Sequence, residues 1–230
     1  MSSPKFDIRD VIRDFVFGME DGLVSNLGLV LGVYMGSGNA FAIILAGLAS
    51  MFAGAFSMSA GSYLAAKSQR EVYEEEMNAA QLELEKNPQK HLKEMGTLLR
   101  KEGFDKNEVG IICKHYINHN QRTYMERYVQ EKVGIARSKL DLPLRNALMM
   151  FFSFLIGSAF PIFPFIVATE MHAVIIAPII TITMLFIVGV AKTRYTKRNW
   201  LRSGLQVVLV GVGAGIIGYL VGFILSHIGS

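Results

Sequence analysis

Polar and apolar positions separate along this chain on a long scale instead of alternating on a short one. Residues 22–66 contain no Asp, Glu, Lys or Arg, residues 203–230 contain none, and residues 146–191 contain only Glu170. A helix rises about 1.5 Å per residue, so about 20 apolar residues cross a hydrocarbon core. The uncharged runs exceed that length. The pattern predicts helical spans over about Phe15–Gly36, Phe41–Ala66, Asn146–Ala168, His172–Ala191 and Ser203–His227. A transmembrane barrel is excluded, because its strands would alternate apolar and polar residues in short segments.

Between the second and third spans the pattern changes. Residues 68–142 hold 13 acidic and 13 basic side chains, a composition that belongs in water. Glu71–Lys86 is rich in Glu, Ala, Gln and Leu, and Asn87-Pro88 ends one helix and begins another. Gly103 stops the second. Asp105 and Glu108 stand three apart, the spacing of a capping box, and predict a third, longer helix running toward Arg137. The expected fold is all-α: a polytopic membrane protein with five transmembrane helices and a three-helix cytoplasmic insert between spans 2 and 3. The expected divisions are residues 1–67 (N-terminal segment and spans 1–2), 68–142 (insert) and 143–230 (spans 3–5).

Charge sharpens the topology. The chain carries +4 at neutral pH, and a basic balance can signal nucleic acid. Here all 23 Lys and Arg lie before span 1, between spans 2 and 3, or between spans 4 and 5. The remaining connections and the C-terminus hold none. By the positive-inside rule the N-terminus is cytosolic and the C-terminus outside, and no nucleic-acid partner is expected. A single cysteine, Cys113, excludes an internal disulfide. The N-terminus shows no apolar core followed by a cleavage site, so no cleaved signal peptide is expected.

Candidate chemistry is sparse. Glu20 and Asp21 lie in the first span, where a carboxylate is costly and reads by default as an ion or proton site. Met58, in the second span, offers a thioether, a soft donor suited to transition metals and poor for magnesium or calcium; taken alone, it reads as apolar packing. In the insert, Glu71, Glu74, Glu75, Glu83, His91 and Glu94 form an acidic series, with His91 and Glu94 on one helix face. Carboxylates with imidazole suit iron, manganese and zinc, although a solvated charged face is the commoner meaning of such a series. His115 and His119, with Cys113 nearby, form a further metal-capable spacing. Gly211/Gly215 and Gly218/Gly222 allow close helix approach, either within the chain or across a dimer seam. No nucleotide loop, nucleophile triad or zinc-protease motif occurs, and the Glu-x-x-His pairs of di-iron sites are absent, so an enzyme is not expected.

Several of these stretches also resemble a known family. Asp21-Gly-Leu-Val-Ser-Asn-Leu-Gly-Leu-Val-Leu-Gly32 resembles the first span of the vacuolar iron transporter family. Ala53-Gly-Ala-Phe-Ser-Met-Ser-Ala-Gly61, followed by Ser68-Gln-Arg70, resembles its second span and exit into the cytoplasm. Gly157-Ser-Ala-Phe-Pro161-Ile-Phe-Pro164 is similar to its third. The resemblance implies a homodimer that moves ferrous iron, and often manganese, out of the cytosol in exchange for protons. It implies Asp21 as the transport carboxylate and Met58 as the span-2 methionine. In the insert the likeness is partial. Glu83 and Glu94 fall where family glutamates stand, but Ala80, His91 and Lys132 fall where others would, and Tyr128-Val129 where a methionine pair would. Glu126 and Glu131 are out of phase, Ser62 replaces a glutamate, and Glu20 replaces an asparagine.

The combined expectation is a secondary transporter for Fe2+ or Mn2+, working against protons, with the metal as cargo and no permanent cofactor. The alternative is a membrane-anchored metal sensor or docking module without vectorial transport. A short chain without targeting extensions suggests a microbial plasma membrane, with a vacuolar membrane as the other possibility.

Overall fold

The structure, a computed structural model, describes residues 8–119, 121–134, 142–196 and 199–228. Helices follow one another throughout: α1 (Ile8–Ser37), α2 (Ala40–Lys86), α3 (Pro88–Lys101), α4 (Lys106–His119), α5 (Gln121–Val133), α6 (Pro143–Val167), α7 (Glu170–Ala191), the one-turn α8 (Thr193–Thr196) and α9 (Trp200–Ile228). Five of them, α1, α2, α6, α7 and α9, are long and apolar enough to cross a membrane. The chain divides into two compact units. One holds α1, α2 as far as Tyr63, and α6–α9. The other holds α2 from Leu64 onward with α3–α5.

The membrane unit is organised around α1, which packs along α6, α9 and α7. Lipid tails are as apolar as leucine, so spans gain little by hiding apolar surface and associate by close backbone packing. Glycine supplies that approach on both flanks of α1. Toward α6, a Cβ added at Gly22 would meet the Phe154 carbonyl at 2.5 Å, and one at Gly157 would meet the Met19 carbonyl at 2.5 Å. Toward α9, a Cβ at Gly32 would meet the Gly218 carbonyl at 2.9 Å, while Gly218 lies on the Gly28 carbonyl and Gly222 on that of Gly32. The spaced glycines of the last span are thus used within the chain. Of the two readings the spacing allowed, internal packing accounts for Gly218 and Gly222, and Gly211 and Gly215 lie against Leu185 and Leu27.

Helix ends are capped where the sequence supplies acceptors. Asn39 Oδ1 accepts from the Phe41 and Ala42 amides at the start of α2. Glu170, the one charged residue of its long apolar run, accepts from the Ala40 amide at 2.9 Å. A carboxylate beside the positive end of a helix is favourable. Asn199 caps α9 through the Leu201 and Arg202 amides.

In the insert unit the expected boundaries at Asn87-Pro88 and Gly103 appear. Gly103 takes φ +103°, and the Phe104 amide reaches back to the Leu99 carbonyl at 3.2 Å, a glycine-ended stop. The capping box forms reciprocally: the Asp105 amide donates to Glu108 Oε2 at 2.8 Å, and Asp105 Oδ1 accepts from the Asn107 and Glu108 amides. Beyond Asp105 the described residues are helical over Lys106–His119 and Gln121–Val133, with Asn120 between them outside the described residues. The expected run toward Arg137 stops at Val133, before Gly134 at φ +76°; Arg137 itself lies outside the described residues. Val109 and Cys113 of α4 and Tyr124, Met125, Tyr128 and Val129 of α5 all enter one core with Tyr73, Ala80, Leu84, Met95 and Leu99.

The glycine seam generates a prediction. Gly218→Val should clash with the Gly28 backbone and cost about 1–3 kcal/mol, the usual penalty of overpacking. Thermal unfolding in detergent, followed by size-exclusion chromatography, should show a midpoint several degrees lower. An unchanged midpoint with loss of a larger assembly would mean the seam lies between chains.

Candidate transport site

Asp21 sits midway along the buried seam of α1. Gly22, beside it, touches the Phe154 carbonyl of α6, and the ring of the same Phe154 lies against Gly54 of α2. One residue of α6 therefore holds α1 and α2 at a common level. Met58 lies one turn beyond Gly54 toward the insert half of α2, about 6 Å along the axis. Asp21 and Met58 are both half-buried. The stretch of α2 around Met58 is otherwise small or outward-facing: Ala53, Phe56, Ser57 and Gly61 are exposed.

The two adjacent acids have different surroundings. Glu20 Oε1 lies 3.4 Å from Lys192 Nζ, with side-chain exposures of 27% and 33%. Lys192 is the C-terminal cap residue of α7, where a cation also meets the negative end of the helix. Asp21 has no such partner: among the described residues no basic side chain forms an ion pair with its carboxylate. Its backbone carbonyl accepts from Ser25 Oγ at 2.6 Å. A half-buried carboxylate without a counter-charge is suited to take a cation or a proton from solution.

Sequence reading missed other polar groups of α1. Asp14 is 4% exposed and pairs with Arg13 at 3.1 Å. Asn26 is fully buried; its amide donates to Ser158 Oγ of α6 at 2.9 Å, and its Oδ1 has no hydrogen-bond partner among the described residues. Thr181 of α7 is also fully buried with an unpartnered hydroxyl. The available signal was a polar residue inside an otherwise uncharged span.

In the insert the expected ligands whose side chains are described do not form one metal-holding group. Glu71 pairs with Lys67 at 3.6 Å and Glu74 with Arg70 at 2.9 Å, both along the exposed surface of α2, and Glu75 is exposed. Glu83 and Glu94 are brought together, but around Lys90. The side chains of His91 and His119 lie outside the described residues; His115 is exposed. Ala80 is a core residue, and Cys113 is buried, which pushes its thiol up from the ordinary value. Among the described residues no three His, Cys, Asp or Glu side chains are placed to hold a metal ion together.

The Glu20–Lys192 pair is partly solvated, so a double-mutant cycle on unfolding midpoints should give a coupling of about 1 kcal/mol or less. Lys192→Met should destabilise more than the double variant Glu20→Gln/Lys192→Met. Strictly additive effects would mean the two charges do not meet.

Comparison with known proteins places this geometry in context. A sequence model described as the VIT family matches residues 12–223. The chain is 26% identical over 223 residues to vacuolar iron transporter 1 of Arabidopsis thaliana, covering 96% of this chain and 89% of that protein. It is 28% identical over 215 residues to vacuolar iron transporter 1 of Oryza sativa subsp. japonica, covering 93% and 85%. It is 24% identical over 229 residues to the vacuolar iron transporter of Plasmodium falciparum (isolate 3D7), covering 95% and 84%.

Proposed function

Because the chain belongs to the VIT family, we propose that it is a secondary transporter carrying Fe2+ or Mn2+ out of the cytosol in exchange for protons. The observation that carries this reading is the Asp21 carboxylate, without an ion pair among the described residues and half-buried within α1 one turn from the level of Met58. Relatives named as iron transporters over nearly the whole chain support metal as the cargo. The sensor alternative has no use for an unpartnered acid inside a span.

In this mechanism Asp21 neutralises the incoming cation. Met58 adds a soft contact that disfavours Mg2+ and Ca2+. Glu20, held by Lys192, shapes the field beside Asp21 without adding a second free negative charge. Protonation of Asp21 from the acidic side removes its charge and releases the metal, and the proton leaves on the cytosolic side when the next cation binds. The distribution of Lys and Arg supports an N-terminus in the cytosol and a C-terminus outside. The direction relative to the cytosol is the same in a plasma membrane and in a vacuolar one. A homodimer is expected from the family resemblance.

Reconstitution tests the proposal. Proteoliposomes holding a metal-quenched dye and a pH dye should show Fe2+ or Mn2+ uptake with opposite proton movement, and far less with Mg2+. Asp21→Asn should reduce flux by a factor on the order of 30 or more, since losing the charged partner of a buried ion costs about 2–5 kcal/mol. Met58→Ala should weaken transition-metal flux by about tenfold and narrow its preference over Mg2+. Metal binding without flux in the unmodified protein would favour the sensor.

A further inference from the structure

The acidic cluster of the insert unit has an internal solution to its charge. Glu76 and Glu83 of α2, Glu94 of α3 and Tyr128 of α5 gather on one side of the unit. Lys90 Nζ lies 2.8 Å from Glu83 Oε1 and 3.7 Å from Glu94 Oε1. The Tyr128 hydroxyl donates to Glu94 Oε2 at 2.8 Å, so both Glu94 oxygens are engaged. Lys132 Nζ lies 3.3 Å from Glu76 Oε2 and 5.9 Å from the centre of the Tyr128 ring. Hydrogen bonding to Glu83, then the charges of Glu83 and Glu94, hold the Lys90 ammonium above its ordinary pKa. Burial, then the bond to Glu94, raises the Tyr128 phenol, which stays a donor.

We propose that Lys90 and Lys132 are built-in counter-cations that fill this cluster, so that the insert folds and persists without a divalent metal and does not gather one. Three carboxylates drawn together without cations would repel one another and would recruit a metal, since hard and borderline ions seek several anionic oxygens at once. Two ammonium groups on the same helices meet that need first. A group tethered within a few ångströms competes at an effective concentration in the millimolar range, which lowers the apparent affinity of an incoming metal. Each pair is partly solvated and individually weak, but a metal must displace Lys90 from two carboxylates together. Metal recognition then rests on the spans alone. The inference concerns binding in the insert and stands apart from the transport reading, which the flux of Asp21→Asn decides.

The test uses the full-length protein in detergent, with Asp21→Asn to silence the spans, and Mn2+ as the probe, read by loss of the free Mn2+ electron paramagnetic resonance signal. Asp21→Asn should bind no more Mn2+ than Asp21→Asn/Glu94→Gln. Adding Lys90→Gln and Lys132→Gln should raise Mn2+ affinity at least tenfold, and Glu94→Gln should abolish the gain. If the glutamine variant loses helicity by circular dichroism, Lys90→Met and Lys132→Met preserve the aliphatic stems and serve instead. The unfolding midpoint of the Asp21→Asn protein should be the same in EDTA and in Mn2+. The proposal is overturned if the native insert binds Mn2+ through Glu83 and Glu94, if a folded lysine-free variant gains no affinity, or if Mn2+ shifts the insert's unfolding.

Discussion

Backbone contact along α1 is the constraint on which the membrane unit depends. Oily side chains gain little by leaving lipid for protein, so the bundle needs surfaces that meet without intervening side chains. Gly22 on Phe154, Gly157 on Met19, and Gly28 and Gly32 on Gly218 and Gly222 give α1 that contact on two sides. A helix clasped this way cannot rotate freely about its axis. The direction in which Asp21 points is therefore settled by glycines that carry no chemistry, and the close packing of α1 and the presentation of its acid are one feature.

The same economy governs where charge is allowed. In the long apolar runs Glu170 is retained, and it caps the first amide of α2. Lys192 ends α7, where it meets both Glu20 and the negative helix terminus. In the insert, carboxylates pair with lysine or arginine repeatedly: Glu71 with Lys67, Glu74 with Arg70, Glu76 with Lys132, Glu83 with Lys90. Against that background the unpaired Asp21 stands apart among the described acids of the spans.

Much of this was readable in the residues, and the failures have physical causes. The five spans follow from uncharged length alone, because a bilayer imposes one requirement that the chain either meets or does not. The cap at Asp105 and the stop at Gly103 are local, decided within a few residues, and local rules find them. The core that Val109, Cys113, Tyr124 and Val129 enter is not local. Its partners on α2 and α3 are settled by folding, which periodicity along a single helix cannot show. The glycine pairs of α9 allowed two partners because spacing describes one surface of a contact and never the other. The roles of Lys90 and Lys132 were hidden for a similar reason: a lysine four residues before Glu94 reads as an exposed helix pair, and its reach to Glu83, on the preceding helix, appears only once α2 and α3 are folded together.

Glu20 and Asp21 show how finely such placement decides a side chain's surroundings. Successive residues are turned about 100° around a helix, so neighbours in sequence cannot share a partner on one side. With α1 seated on α6 and α9, that rotation sends Glu20 to the end of α7 and the ammonium of Lys192. Asp21 goes to the flank of Ser25, which is exposed and offers no counter-charge. Exchanging the two residues would alter nothing in composition or net charge. What separates the carboxylate paired with Lys192 from its neighbour without an ion pair among the described residues is thus the angle at which glycine packing has fixed α1.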